Sequence, residues 1–349
     1  MKTEGLQSEV KIFTIWYAVR DPQLFLFLQF KPSSILFQII AYLKFLLNST
    51  NQHGIHSPFV YNLLTKCLYK KEKRPAFEII ENFRKELLRD HRKIKVTDFG
   101  AGSRVFKSNQ RKVSDIAKNA GISRKRAILL NKLTSWFEIS TALELGTSVG
   151  ISSAAIAAGN KVSLTTLEGC PETAAVAGEY FRHFKLDNIS LNVGSFEEKA
   201  PQPPKGEPYI PSQDTKQQTP NHKQQTTTYI LQPAPVRQSY NPELTTDNRQ
   251  PTTNNPEPPT HNRQPATDLV YFDGNHQKDA TLKYFHQLLP LAHNDSVFIF
   301  DDIHWSKGME EAWDEIKAHP QVRVTIDSFF WGIVFFRKEQ EKEHFIIRL

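Results

Sequence analysis

Outside one polar tract, the second half of this chain alternates short apolar runs with longer amphipathic ones, and few folds satisfy that alternation. Residues 142–146 read as a buried strand and 150–158 as a helix rich in Ala and Ile; 162–168 and 189–194 read as strands around a helix at 172–186. Beyond the tract, strands are expected at 269–273 and 296–301, with helices at 279–289 and 307–318. Strands at 322–327 and 332–336 complete the pattern. Strands that alternate with helices of this length imply a mainly parallel sheet covered on both faces, an α/β fold. The last two strands are separated by 328–331 alone, too few residues for a right-handed crossover, so they must form an antiparallel hairpin.

The tract itself, 199–267, is crowded with Pro, Gln, Thr and Asn and has almost no apolar periodicity, so it is expected to be a disordered insertion. Strand-like segments of one sheet lie on both sides of it, and loop-closure entropy rises slowly enough with length for a sheet to tolerate it. The expected organisation is an N-terminal helical cap over 1–132 and an α/β domain over 133–349, interrupted by that insertion.

In doubly wound sheets, ligands bind beyond the carboxyl ends of the strands. The first strand ends in Glu144, Gly146, Thr147, Ser148, Gly150 and Ser152, where glycines allow a tight turn and close backbone approach and small hydroxyl residues open a helix. The second ends in Glu168, roughly twenty residues later, where a carboxylate can accept from both ribose hydroxyls. Together they indicate a nucleoside ligand. Glu144 closes a buried strand, a costly place for an acid unless it is paired or faces a ligand, and ligand contact is expected. A second glycine loop, Asp98, Gly100 and Gly102, lacks a strand closing on an acid at the proper distance and is expected to be a structural or substrate-side turn.

On these residues the chain resembles the class I S-adenosylmethionine-dependent methyltransferases, in particular their O-methyltransferase-like branch. The loop Glu144 to Ser152 looks like that branch's cofactor loop. Asp273, Gly274, Asn275 and His276 after the fourth strand extend the similarity, as do Asp301, Asp302, Ile303, His304 and Trp305 after the fifth and the stretch from Asn51 to Phe59, which resembles a bacterial N-terminal signature. The resemblance implies a Rossmann-like, seven-stranded sheet with a reversed last strand, in agreement with the hairpin. It also implies that Gly146 and Gly150 pass the methionine part of the cofactor, that Glu168 holds its ribose and that Ser195 lines its adenine, with Glu144, Thr147, Ser148 and Ser152 completing the cofactor set. The insertion and the long segment before Gln52 depart from the family pattern.

S-adenosylmethionine offers an electrophilic methyl, so the protein has to align an acceptor and remove its proton. Asp273, His276 and His304, at or just beyond strand ends, are the candidate catalytic residues, since a histidine can relay a proton near neutral pH. Asp273, Asp301 and Asp302 form a candidate Mg²⁺ site of hard oxygen ligands, as in the metal-dependent relatives this sequence resembles. No Pro-Pro-aromatic motif follows the fourth strand, so an oxygen of a small molecule is the expected acceptor rather than a nucleic-acid amine.

Two other functions compete. The formal charge is +7, and residues 70–132 alone hold nineteen Lys and Arg against seven Asp and Glu. Within that stretch, 113–130 has the spacing of a helix-turn-helix whose second helix, with Arg124, Lys125 and Arg126, would be basic enough to read DNA. A catalytically silent cofactor-binding protein is the other. Cys67 and Cys170 lie far apart without metal-ligand spacing, which suits a reducing, cytoplasmic compartment. Glu4, Glu9 and Lys11 interrupt any leader-like run, and the apolar segments 24–30 and 35–47 are too short to span a bilayer. They are expected to be amphipathic helices that pack on the protein or pair two copies as a homodimer.

Overall fold

Among the described residues, the apolar runs of the second half form strands and the longer amphipathic runs between them helices. The computed structural model describes residues 32–97, 109–201 and 266–349. The expectations for 24–30, for the glycine loop at 98–103 and for nearly all of the insertion fall outside them. The chain divides into a unit of Met1–Lys205 with Gln264–Leu349 and a unit of Gly206–Arg263, and everything below concerns the first.

Its sheet contains β3 (Thr141–Leu145), β4 (Ser163–Glu168), β5 (Ile189–Val193), β6 (Leu269–Phe272), β7 (Val297–Asp301), β8 (Val324–Asp327), β9 (Trp331–Phe335) and β10 (Glu343–Ile346), in the order β10-β8-β9-β7-β6-β3-β4-β5. Among these strands only β9 is reversed, running antiparallel to both β7 and β8, as the short connection requires. The sheet has eight strands, not the expected seven: β10 adds to the edge, parallel to β8, with Glu343 opposite Val324 and Ile346 opposite Asp327. Its half-exposed residues carry little apolar alternation, which is why the sequence pattern ends one strand early.

Before the sheet lie α1 (Pro32–Asn48), α2 (Pro58–Asn62), which runs on as a π-helix over Leu63–Leu68, α3 (Pro75–Leu87), α4 (Val113–Asn119) and α5 (Arg124–Trp136). The cap is not wholly helical. A two-stranded antiparallel ribbon, β1 (Lys93–Lys95) with β2 (Gln110–Lys112), interrupts it, made of charged residues that give no apolar signal. The expected boundary at 132 falls inside α5, and one apolar core runs from Ile55 and Phe83 of the cap through Ala154 of the sheet domain to Ile347. Among the described residues, no helix is long and apolar enough to cross a membrane.

The segment expected to be a helix-turn-helix forms α4 and α5. Ser123 caps α5 by accepting from the Arg126 amide at 3.3 Å, and Ala127, Leu130 and Leu133 bury it. Its basic residues divide: Arg124 and Lys125 are exposed, the first paired with Glu81 and the second donating from Nζ to the Leu349 carbonyl at 2.6 Å, whereas Arg126 turns inward onto Asp301.

Alternation along the strands assigns side chains to faces. Ala142 of β3, Leu269 and Tyr271 of β6, Ile299 of β7 and Trp331 of β9 face α5 and α6 (Ile151–Ala157). Leu143, Leu145, Val270, Phe272, Phe298 and Phe300 face the other side, against α9 (Lys278–Leu288) and α10 (Lys307–Ala318). By the same parity, Glu144 and Asp301 are aimed at the α5–α6 face. Two further helices, α7 (Pro171–His183) and the short α8 (Phe196–Lys199), follow β4 and β5.

Candidate functional site

From β3 the chain proceeds outward through β4 and β5, and after β5 it returns to lay β6 on β3's other side. Loops leaving β3 and β6 therefore part in opposite directions and open a crevice at their carboxyl ends. It is a cavity of about 310 Å³ whose lining includes Gly146, Ser148, Glu168, Ser195, Asp273 and Asn275. Gly146 has φ +101°, and a side chain there would collide with the Asp273 carbonyl of the neighbouring loop. Gly150 has φ +87° and lies so close to the Phe181 ring that a Cβ would stand 2.5 Å from it. The loop thus turns tightly into α6. Glu168 is held by two amides, Ser148 N–H at 2.8 Å and Cys170 N–H at 2.9 Å.

Gly146, Ser148, Glu168, Ser195 and Asp273, all expected from the sequence, line this cavity. Glu144, Thr147, Gly150 and Ser152 do not. Thr147 is fully buried and its hydroxyl shares a 2.6 Å bond with that of Thr166. Glu144 sits behind the loop, where its Oε2 accepts from Thr166 at 2.6 Å and from Ser153, and its Oε1 has no partner in the protein. Burial pushes its carboxyl up to about 7, although the hydroxyls of Ser152, Ser153 and Thr166 oppose the shift. These residues build the loop from within.

Other lining residues were not foreseen. Thr97 after β1, Arg111 of β2 and Ile116 of α4 close the cavity from the cap side. Nothing in their spacing pointed there, because they meet the loops only through the tertiary fold. Asn275 follows Asp273 directly and was legible as a neighbour; it has φ +52° and a buried Oδ1 without a partner.

Beyond β6 and β7, Asp273, Asp301 and Asp302 gather, and Arg126 reaches them from α5. Its Nη1 donates to Asp301 Oδ1 at 2.8 Å, and its guanidinium lies over the Phe330 ring at 5.0 Å. Burial and then the Asp301 and Asp302 charges raise the Asp273 carboxyl well above the carboxylate range. Burial followed by Asp301 brings Asp302 up to about 6. His276 Nε2 stands 3.8 Å from Asp273 Oδ1.

These residues do not fit the Mg²⁺ expected from the sequence. Among the described residues, no group of three or more His, Cys, Asp or Glu side chains is arranged to hold a metal ion. Asp301, one of the expected ligands, instead has its Oδ1 engaged by Arg126 and by the Asp302 amide at 3.1 Å.

His304 is also displaced from its expected role. Its Nδ1 meets Glu310 at 2.8 Å and its Nε2 meets Asp327 at 2.9 Å, while its ring stacks on Phe329. Burial disfavours the charged ring, yet hydrogen bonds to Asp327 and Glu310 outweigh it and lift His304 to about 9. With both nitrogens donating at neutral pH, it has no free lone pair to act as a base.

Residues 143–303 match the family model of a methyltransferase domain. No curated protein matches the chain. Among solved structures, it is similar to a putative O-methyltransferase from Klebsiella pneumoniae at 13% identity, covering 80% of this chain and 96% of that one with a TM-score of 0.42. An O-methyltransferase from Bacillus cereus in complex with SAH shares 14% identity over 79% of this chain and 95% of that one, at 0.39. The O-methyltransferase TomG from Streptomyces achromogenes in complex with SAM shares 12% over 80% and 95%, at 0.42. The matched domain starts within β3 and ends just past β7, so it contains the glycine loop, Glu168 and the crevice between β3 and β6. Over residues 143–303, the chain is similar to a methyltransferase domain.

Proposed function

We propose that this methyltransferase acts on an oxygen of a small molecule, with the cofactor in the cavity beyond β3 and β4. The observation that carries the proposal is the position of Glu168, which joins the glycine loop to the next strand end through Ser148 and Cys170 and lines the cavity. S-adenosylmethionine supplies a methyl on a sulfonium, and its transfer needs no covalent enzyme intermediate. Glu168 accepts from the ribose hydroxyls, Gly146 lets the backbone approach the methionine portion, Ser148 and Ser195 contribute polar contacts, and Asn275 offers its unpaired Oδ1.

Asp273 is the strongest candidate to take the acceptor's proton, because it lines the cavity at the end of β6 with His276 Nε2 3.8 Å from its Oδ1. His276 beside it is the second. An oxygen acceptor suits a strand end that reads Asp273, Gly274, Asn275, His276, without the paired prolines of amine-directed nucleic-acid enzymes. A cytoplasmic location and a homodimer formed through α1 belong to the same proposal.

Calorimetry tests the cofactor site. The full chain binds S-adenosylmethionine, and Glu168→Ala weakens binding by roughly ten- to a hundredfold, the value of losing charge-assisted hydrogen bonds. A folded chain that shows no binding heat would remove the cofactor assignment. Incubating extracts with isotopically labelled methyl donor then identifies the acceptor, and label recovered on nitrogen or carbon alone would overturn the oxygen assignment.

A further inference from the structure

The carboxylates beyond β6 and β7 have a cation already, and it comes from the cap. We propose that Arg126 is the resident cation of the Asp273, Asp301 and Asp302 cluster, standing where a divalent metal would otherwise bind, and that methyl transfer by this chain needs no metal there.

Three observations carry this. The first is occupancy. Arg126 Nη1 donates to Asp301 Oδ1 at 2.8 Å, and the Asp302 amide donates to the same oxygen at 3.1 Å. A metal would have to take that oxygen from two donors and then sit beside a guanidinium whose charge cannot be removed by deprotonation.

The second is that Arg126 cannot withdraw. Ala127 and Leu130, on the same helix, are completely buried. The Phe330 ring covers the guanidinium face, and the Phe330 carbonyl accepts from the Asp302 amide at 2.7 Å, so the aromatic lid and the carboxylates are tied to one backbone. The Asp301 side chain is 5% exposed, which leaves little room for the waters that Mg²⁺ normally retains.

The third is the character of the neighbouring polar atoms. Arg126 Nε is buried without a partner in the protein, Trp331 Nε1 is buried beside the Tyr271 hydroxyl, and Trp331 is paired with Asp301 across the β7–β9 ladder. Both groups can only donate. They suit an oxygen of water or acceptor and offer nothing to a second cation.

The chemistry of this inference rests on the methyl transfer proposed above, whereas cation binding is read without turnover, so either can fail alone. Mn²⁺, whose free-ion electron paramagnetic resonance signal falls on binding, is titrated into the full chain. The unaltered protein should leave the signal at its free amplitude. Arg126→Gln, which frees the three carboxylates, should bind about one equivalent at least roughly tenfold more tightly than the unaltered chain, and adding Asp301→Asn should abolish that binding. Binding of one equivalent by the unaltered chain, lost in Asp301→Asn, would overturn the proposal. So would an Arg126→Gln protein with native circular dichroism that binds no Mn²⁺. If Arg126→Gln does not fold, Arg126→Lys decides: it keeps the charge and should stay closed to Mn²⁺, and an Arg126→Lys protein that binds the ion refutes the stand-in role.

Discussion

At the scale of single residues, His304 shows how a candidate base becomes a brace. Its ring links the end of β8, through Asp327, to the first turn of α10, through Glu310. Its folded value of about 9 exceeds the usual unfolded value of about 6.5. The stabilisation is therefore fully present below about pH 6.5 and disappears as pH rises through 9. That difference corresponds to about 3 kcal/mol. Urea unfolding of the unaltered protein and His304→Gln should show a gap of that order at pH 6 that nearly closes by pH 10. A gap of equal size at both pH values would mean that the ring is not held charged. The sequence made the position of His304 past a strand end legible, but not its partners. Asp327 lies 23 residues away and belongs to another strand. Arg126 was harder still, since 175 residues separate it from Asp301 and its neighbours Arg124 and Lys125 made it look like part of a basic surface.

At the scale of elements, legibility followed burial. β3, β4, β6, β7, β8 and β9 were readable as apolar runs bounded by turns, and the half-exposed β5 because Ile189, Leu191 and Val193 alternate with polar residues. The ribbon β1–β2 and the edge strand β10 were not, because charged strands, or half-exposed ones with little such alternation, carry no such signal. Helix α1 was legible as amphipathic, and the structure divides its faces. Ala41 and Phe45 pack on Phe329, while Leu36, Ile40, Leu43 and Leu47 are left exposed. Those four recur at intervals of four, three and four, the seam along which two helices pack. If α1 pairs two copies as proposed, sedimentation equilibrium should give a dimer for the unaltered chain and a monomer for Leu43→Glu. A unaltered chain that sediments as a monomer removes the dimer.

At the scale of the molecule, the low-complexity stretch joins two anchored ends. On one side, Gln287 donates to the Pro201 carbonyl at 3.1 Å; on the other, the Thr267 amide donates to the Leu291 carbonyl at 3.1 Å. Both anchors lie near the end of α9, so a short Gly-Ser linker in place of 206–263 should leave S-adenosylmethionine affinity within about threefold, because closure entropy changes only logarithmically with loop length. Loss of binding in a folded, shortened chain would show that the stretch contributes to the site.

The same return of the chain orders events during synthesis. Ser140 at the foot of β3 bonds to Asp268 at the foot of β6 across 128 residues, so β3, β4 and β5 leave the ribosome well before their central neighbour exists. A nascent chain at that stage already carries the glycine loop and Glu168. It lacks the Asp273 carbonyl against which Gly146 is packed, and with it one wall of the cavity. The cavity between the loops of β3 and β6 is therefore complete only in a chain that has been made past β6.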